Sequence, residues 1–141
     1  MSETTLLIES ELSVRWADMD ALGHVNNTVY FRYFEQARIE WLAEIGAGSS
    51  VGHGSDTGPV IVNAYCEFMR SITYPARLRV RMLGGAPGRS SFETHYEIVD
   101  ADRPDVTYSV GTARMVWVDH GAGKSVPVPD DVRARLPQPA P

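Results

Sequence analysis

The chain is poor in the features of secreted and membrane proteins. Its 141 residues include one cysteine, Cys66, which cannot form an internal disulfide and is typical of a reducing compartment. No apolar run approaches the ~20 residues that a membrane-spanning helix requires. Residues 1–9 lack both the basic segment and the long apolar core of a secretory signal. We therefore expect a cytoplasmic protein with no membrane partner.

Positive charge is also scarce. Lysine and arginine together number 13 against 18 aspartates and glutamates, so the formal net charge is −5. This balance gives no reason to expect nucleic acid as a partner. The sequence has no cysteine and histidine cluster at zinc-binding spacing, no glycine-rich phosphate loop before a helix and no G-x-S-x-G motif. We therefore expect no metal site and no cofactor.

A long helix is predicted over residues 27–45. Its apolar residues recur every three or four positions, which is the period of a helical face; they are Tyr30, Phe34, Ala37, Trp41 and Ile45. Asn26 and Asn27 stand where an N-cap belongs. Gly46 follows as a left-handed stop. Further apolar residues widen the stripe, so we expect the helix to be enclosed on more than one side.

Alternating apolar residues predict one strand before the helix and four after it. The first covers residues 11–16, and the later ones cover residues 60–70, 77–82, 91–98 and 106–118. Both faces of 60–70 are apolar, so we expect both to be covered. Residues 46–59 are predicted to form a glycine-rich loop, and the proline-rich tail from about residue 120 to lie across the surface or fray.

This order of elements predicts an α+β fold in one domain spanning residues 1–141. An antiparallel sheet of five strands would wrap around one central helix. Such a sheet has open edges whose backbone groups need partners, and pairing edges between two copies satisfies them. We therefore expect a homo-oligomer.

The segment between the first strand and the helix concentrates polar chemistry. Asp18, Asp20 and His24 all lie shortly before the predicted helix. Titratable groups beside the unpaired N–H groups of a helix N-terminus can bind a carbonyl oxygen, a phosphate or a carboxylate. Aspartate and asparagine are also common in turns and caps, so either feature alone has a structural explanation. Their combination favours a binding or catalytic site.

The pattern D-x-D-x-x-G-H-V-N-N-x-x-Y-x-x-x-F-E-x-A-R runs from Asp18 to Arg38. It resembles the signature of hotdog-fold acyl-CoA thioesterases of the 4-hydroxybenzoyl-CoA thioesterase type. It is also similar to the corresponding segment of plant acyl-carrier-protein thioesterases. The resemblance implies the hotdog fold, a five-stranded antiparallel sheet wrapped around one long central helix. It also implies an acyl-CoA substrate and a homodimer or homotetramer with active sites at the subunit interface.

The same resemblance assigns catalytic positions. Asp20, the second aspartate of the D-x-D pair, matches the family's catalytic carboxylate, acting as a general base on water or as a nucleophile. The backbone N–H near Asn27 is the expected donor to the developing oxyanion. His24 matches a catalytic histidine of the plant enzymes, but Leu22 stands where those enzymes have asparagine. The sequence therefore leaves open whether His24 acts in catalysis or holds the turn.

Substrate contacts are expected from four residues of the motif and the following strand, namely Gly23, Asn26, Tyr30 and Arg70. A guanidinium near the mouth of the site suits the phosphates of coenzyme A, and further candidates are Arg77, Arg79, Arg81 and Arg89. An alternating row of arginines is also typical of a solvated strand face.

The remaining polar residues have structural expectations. Asp18 is expected to orient the turn, and Glu35 to pair with Arg38 one helical turn away. Cys66 lies in an apolar strand and is expected to be buried and inert. His53, in the glycine-rich loop, is expected to be solvated.

The sequence thus predicts an acyl-CoA thioesterase. Two alternatives remain open: an acyl-carrier-protein thioesterase, and a non-catalytic hotdog module that binds an acyl ligand or serves assembly. A hotdog hydratase is disfavoured, because the D-x-N-P-x-H pattern that it resembles would need an Asn and a Pro that this chain lacks after Asp20.

Overall fold

The computed structural model describes residues 3–46 and 56–139. Within them the first strand is followed by a short 3-10 turn, Trp16–Asp18, and the long helix. The strands are β1 Thr4–Ser13, β2 Thr57–Phe68, β3 Arg77–Gly85, β4 Ser91–Asp100, β5 Thr107–Asp119 and β6 Lys124–Ser125; the helices are α1 Asn27–Glu44 and α2 Asp130–Arg133. The strand order is β1-β3-β4-β5-β2, with β6 on β5 and all pairs antiparallel. The predicted fold class is confirmed.

Helix α1 forms where the sequence pattern predicts it. The Asn26 side chain caps its first turn by accepting from the Thr28 N–H at 2.9 Å. Gly46 follows the last turn with φ +79°, a conformation that a side chain would strain. The buried face of the helix packs on the sheet through Tyr30, Tyr33, Phe34, Ala37, Trp41 and Leu42. Ile39 remains 46% exposed, so in the single chain one side of the helix is uncovered.

The centre of the sheet supplies the opposite half of the core. Strands β3 and β4 alternate as predicted, and their inward side chains are almost inaccessible: Leu78, Val80, Met82, Phe92, Tyr96 and Ile98. The outward arginines of β3 form ion pairs with neighbouring acids, Arg79 with Glu11 and Arg81 with Glu9 and Glu97. This face is the solvated charged face that an alternating row of arginines indicates.

The first strand differs from its predicted bounds. It begins at Thr4 and ends at Ser13, whereas residues 11–16 were the expected span. The chain leaves the sheet at Val14, whose N–H bonds to Ala76, outside the sheet. Trp16 lies in the 3-10 turn and is 73% exposed, so the predicted extension of the strand to residue 16 is wrong. The alternation of apolar residues in the sequence does not indicate where the pairing of β1 with β3 ends.

Strand β2 also corrects an expectation. It is an edge strand that pairs only with β5, and much of it is exposed. Its large apolar side chains Ile61, Val62, Tyr65 and Phe68 are 38–60% exposed, so the two faces are not both covered in this chain. Residues 47–55 of the expected glycine-rich loop, including His53, lie outside the described residues, and the last part of that loop, from Thr57, belongs to β2.

The C-terminal tail lies across the surface with an apolar underside. Val128, Val132 and Leu136 are buried, and Leu136 packs against the backbone of Gly84 in β3. No helix in residues 3–46 or 56–139 is long and apolar enough to cross a membrane.

Candidate active site

The turn before α1 is held by its own backbone. The Asp20 N–H donates to the His24 carbonyl at 3.0 Å, and the Gly23 N–H donates to the Asp20 carbonyl at 3.0 Å. Gly23 adopts φ +83°, which a side chain would strain. Val25 is anchored by a 2.8 Å bond from its N–H to the Ile72 carbonyl. The turn is therefore tied both to itself and to the segment that follows β2.

The Asp20 carboxylate is oriented by two donors, one on each oxygen. The Leu22 N–H donates to Oδ1 at 2.9 Å, and the Asn26 Nδ2 donates to Oδ2 at 3.1 Å. The side chain is half-buried. Each carboxylate oxygen accepts one hydrogen bond here, which leaves lone pairs directed at the adjoining pocket.

Within the described residues, the Asn27 N–H is an unused donor in the first turn of α1. The Thr28 N–H is taken by Asn26 Oδ1 and the Val29 N–H by the Asn26 carbonyl, both at 2.9 Å. The Asn27 N–H makes no hydrogen bond to any residue in the described ranges. A free N–H at the positive end of a helix is suited to a carbonyl oxygen that gains negative charge.

These groups open onto a pocket of about 310 Å³ between the start of α1 and the end of β2. Its lining combines the turn, the helix and the strand end: Asp20, Leu22, His24, Val25, Asn27, Tyr30, Phe68, Met69, Arg70 and Ser71. The Tyr30 ring meets the Phe68 ring edge to face, with centroids 4.9 Å apart. The Tyr30 hydroxyl donates to the Arg70 carbonyl at 3.5 Å, and burial raises the pKa of this phenol.

The structure brings most of the predicted site residues together. Asp20, His24, Asn27, Tyr30 and Arg70 all line the pocket. Gly23 and Asn26 are not among its lining residues, because they lie in the turn that supports it. Their assignment as substrate contacts stays a prediction.

Sequence reasoning missed part of the wall. Met69 and Ser71 line the pocket but are separated from Asp20 by about fifty residues of sequence. The motif contains no signal for them. The hydrogen bond from the Val25 N–H to the Ile72 carbonyl ties the turn to the segment that follows β2.

His24 lies at the pocket rim with an exposed side chain. Its carbonyl, rather than its imidazole, holds Asp20, and no described hydrogen bond joins the imidazole to the Asp20 carboxylate. The geometry leaves the imidazole free to contact a ligand. Whether it takes part in chemistry stays a prediction.

Asp18 has a different environment from Asp20. Its Oδ2 accepts from the Tyr33 hydroxyl at 2.8 Å and from the Arg15 N–H at 2.9 Å. Burial of the ring, followed by the hydrogen bond to Asp18 and the charge of Asp18, raises the pKa of Tyr33 far above its usual value. Asp18 therefore orients the turn, as expected, and does not line the Asp20 pocket.

Two further expectations can be compared with the structure. Cys66 is 9% exposed, and burial raises the pKa of its thiol, as expected of an inert cysteine. Arg38 donates to the Tyr96 hydroxyl at 3.2 Å and lies over its ring. Within residues 3–46 and 56–139 no ion pair joins Arg38 to Glu35, so that expected pair is wrong.

Comparison with known proteins gives the family. Residues 14–136 match the model of the thioesterase-like superfamily. The PA2801 protein of Pseudomonas aeruginosa is 37% identical, with a TM-score of 0.86 over 92% of this chain and 97% of that chain. Slr0204, a 1,4-dihydroxy-2-naphthoyl-CoA thioesterase from Synechocystis, is 22% identical, with a TM-score of 0.79 over 94% of this chain and 95% of that chain.

A curated plant relative is also similar. The chloroplastic acyl-acyl carrier protein thioesterase ATL3 of Arabidopsis thaliana is 26% identical over 130 residues, which are 91% of this chain and 66% of that protein.

The chain belongs to the thioesterase-like superfamily, and it has the hotdog fold of that family. It is a thioester hydrolase. The resemblance found in the sequence motif is thereby confirmed.

Proposed function

We propose that this protein hydrolyses an acyl-CoA thioester to the free acid and coenzyme A, with Asp20 as the catalytic carboxylate. The observation that carries the proposal is the pairing of two groups at one pocket. A carboxylate oriented by two donors lies beside a helix whose first N–H has no acceptor in the described chain. Thioester hydrolysis needs this combination of a base or nucleophile and an oxyanion donor.

The chemistry follows from those two groups. The thioester carbonyl oxygen accepts from the Asn27 N–H, which stabilises the negative charge that develops in the transition state. Asp20 either removes a proton from the attacking water, or attacks the carbonyl carbon itself to form an anhydride, which water then hydrolyses to the free acid and the regenerated carboxylate. Collapse of the tetrahedral intermediate breaks the C–S bond, and the departing thiolate takes up a proton. His24 lies at the pocket rim, where its imidazole can contact the thiolate leaving group.

Arg70 is our candidate for contact with the phosphates of coenzyme A. It lies at the pocket and has no ion-pair partner in residues 3–46 and 56–139. The arginines of β3 are less suitable, because Arg77, Arg79 and Arg81 are engaged with carboxylates. A guanidinium without a partner binds phosphate without first breaking an ion pair.

The complete site is proposed to form at a homodimer interface. From Gly58 to Phe68, strand β2 pairs on one side only among the described residues, and it exposes large apolar side chains along its length. The same strand ends at Phe68, which lines the Asp20 pocket. A second copy paired at this edge would satisfy the backbone groups and add a wall to the pocket. The single cysteine favours a cytoplasmic setting for this assembly.

Release of free thiol from a panel of short, long and aromatic acyl-CoAs tests the proposal. We expect turnover on at least one acyl-CoA and slower turnover when Arg70→Ala removes the phosphate contact, mainly through a higher KM. Arg135→Ala, at an exposed arginine outside the pocket, is the matched control. Absence of thiol release from every acyl-CoA would contradict the proposal.

A thioesterase that acts on acyl-carrier protein is the second candidate. The similarity to the Arabidopsis enzyme ATL3 favours it. Leu22, which lines the pocket where the plant enzymes have asparagine, disfavours it. Assaying the same acyl groups on coenzyme A and on carrier protein distinguishes the two, since the preferred carrier has the larger kcat/KM.

A further inference from the structure

Asn26 lies behind the pocket, yet its side chain contacts both parts of the proposed machinery. Its Nδ2 donates to Asp20 Oδ2 at 3.1 Å. Its Oδ1 accepts from the Thr28 N–H at 2.9 Å and from the Thr28 hydroxyl at 2.6 Å. One planar carboxamide thus joins the carboxylate to the helix start that carries the Asn27 N–H.

The orientation of this carboxamide is determined by its neighbours. The Thr28 N–H can only donate, so the atom that faces it must be the amide oxygen. The Asp20 carboxylate, when ionised, can only accept, so the atom that faces it must be the amide nitrogen. The reverse orientation would oppose oxygen to oxygen and N–H to N–H, which removes both bonds.

The backbone of Asn26 is fixed as well. Its N–H donates to the Asp18 carbonyl at 2.9 Å, and its carbonyl accepts from Val29 at 2.9 Å. The side chain therefore projects from an anchored position, and a half-buried environment limits its rotation. A rigid bridge of this kind can hold the distance between two groups that must act on the same carbonyl.

We propose that Asn26 is a positioning residue that aligns the Asp20 carboxylate with the oxyanion donor at the start of α1. The proposal rests on the assigned role of Asp20. It gives Asn26 a function other than substrate contact. Serine and aspartate cap helices as well as asparagine does, but neither has an N–H to give to Asp20. The requirement for asparagine therefore separates the bridge from the cap.

Three variants of Asn26 exploit this difference. Asn26→Ser keeps a cap acceptor and removes the donor to Asp20. Asn26→Asp keeps the cap acceptor and sets a second carboxylate against Asp20. Asn26→Ala removes both contacts. Thr28→Val is the matched control, because it removes the hydroxyl donor to Asn26 but leaves the bond between Asn26 and Asp20.

We expect Asn26→Ser to lower kcat by about 10- to 100-fold with KM within about twofold, because misplacement of a catalytic group affects the transition state more than binding. Its Tm should stay within about 3 °C of the wild type, whereas Asn26→Ala should lose about 4 °C or more. Thr28→Val should retain kcat within about threefold.

The pH profile tests whether the side chain at position 26 is in contact with Asp20 during catalysis, and the kcat-against-KM comparison above separates positioning from capping. In Asn26→Asp, the acid limb of the kcat/KM profile should move to higher pH by about one unit, because a like charge opposes ionisation of the pair. The other charged groups near Asp20 are the same in all variants: His24 and Arg70 at the pocket, and Asp18 bonded to Tyr33.

The outcomes separate this inference from the proposed function. Wild-type kcat and an unchanged acid limb in both Asn26→Ser and Asn26→Asp would overturn the positioning role. A raised KM with unchanged kcat would also overturn it, because that result marks a substrate contact. An Asp20→Asn variant with full activity would instead overturn the proposed function.

Discussion

Asp18 and Asp20 are separated by one residue, but their carboxylates have different hydrogen-bond partners. This difference supports different roles for the two residues. Each carboxylate oxygen of Asp20 accepts one hydrogen bond from a residue of the turn. Asp18 instead accepts a hydrogen bond from the hydroxyl of the buried Tyr33. The hydrogen bond from the buried Tyr33 phenol gives the Asp18 carboxylate a structural role. Asp20, by contrast, lines the pocket, where a carboxylate can meet water and a thioester carbonyl.

The Tyr33 contact with Asp18 makes a stability prediction. Tyr33→Phe should lower the free energy of unfolding by about 1–2 kcal/mol at pH 7, because a hydrogen bond to a charged group is lost. Urea denaturation measures this, with Tyr74→Phe, at an exposed tyrosine, as the control. An unchanged midpoint in Tyr33→Phe would contradict the assigned role of Asp18.

The same pair predicts an alkaline effect. The native state raises the pKa of Tyr33 above its usual value near 10, so only the unfolded chain releases this proton just above pH 10. The contribution of Tyr33 to the free energy of unfolding is constant below pH 10. It is lost as the pH rises further, by up to about 1.4 kcal/mol per pH unit. Tyr33→Phe should reduce the slope of stability against pH in this range. Equal slopes in both proteins would oppose the assignment.

The sequence could name the D-x-D pair but could not divide its roles from residue spacing alone. The division depends on Tyr33, fifteen residues further along the chain, whose hydroxyl reaches Asp18. The resemblance selected Asp20 instead. Likewise, Phe68 and Met69 enter the pocket through tertiary folding, which no local pattern encodes.

At the scale of elements, the contact between α1 and the sheet depends on a missing side chain. Gly111 of β5 lies beneath Phe34, and a Cβ there would stand 2.6 Å from both the Phe34 ring and the Tyr65 carbonyl oxygen. The Phe34 ring stacks on Tyr96 with centroids 4.7 Å apart. The sheet can therefore approach the helix closely only because position 111 is glycine.

Gly111→Ala should destabilise the protein by about 2–3 kcal/mol, because an overpacked core must shift a ring and a backbone oxygen. Gly88→Ala is the control, since its Cβ would meet only an ordinary 3.6 Å contact and would leave stability unchanged or slightly higher. Thermal unfolding of soluble Gly111→Ala, or its recovery in the insoluble fraction, measures the effect. Wild-type stability would contradict the close approach.

Helix α1 was predictable because its signals are local. Its period, its Asn26 cap and its Gly46 stop all lie within the element or next to it. The ends of β1 and the exposure of β2 were not predictable, because they depend on which strands pair across the sheet. The tail shows the same limit: Leu136 is buried next to Gly84 of β3, a tertiary contact that no local pattern encodes.

At the scale of the whole molecule, the main feature is the outer edge of strand β2. From Gly58 to Phe68 this strand has a neighbouring strand on one side only within the described ranges, and Val62 and Tyr65 are more than half exposed. The opposite edge, β1, carries mostly polar and charged exposed side chains. This asymmetry favours β2 as the edge through which two copies pair.

The proposed dimer makes a testable prediction at this edge. Val62→Arg should shift the protein from dimer toward monomer in analytical ultracentrifugation, because a charge would be buried at the interface. Leu6→Arg, on the β1 edge, should leave the dimer intact. Activity should fall with dissociation if the site needs both subunits. Equal sedimentation of the two variants would argue against pairing through β2.

The most direct test of the account is the rate of thioester hydrolysis by Asp20→Asn. The change keeps the size of the side chain and removes its capacity to act as base or nucleophile. With the best acyl-CoA of the panel, we expect kcat to fall by about 100-fold or more at unchanged Tm, whereas Asp105→Asn, at an exposed turn, stays at the wild-type rate. Equal kcat for Asp20→Asn and the wild type would contradict the assignment of the catalytic carboxylate.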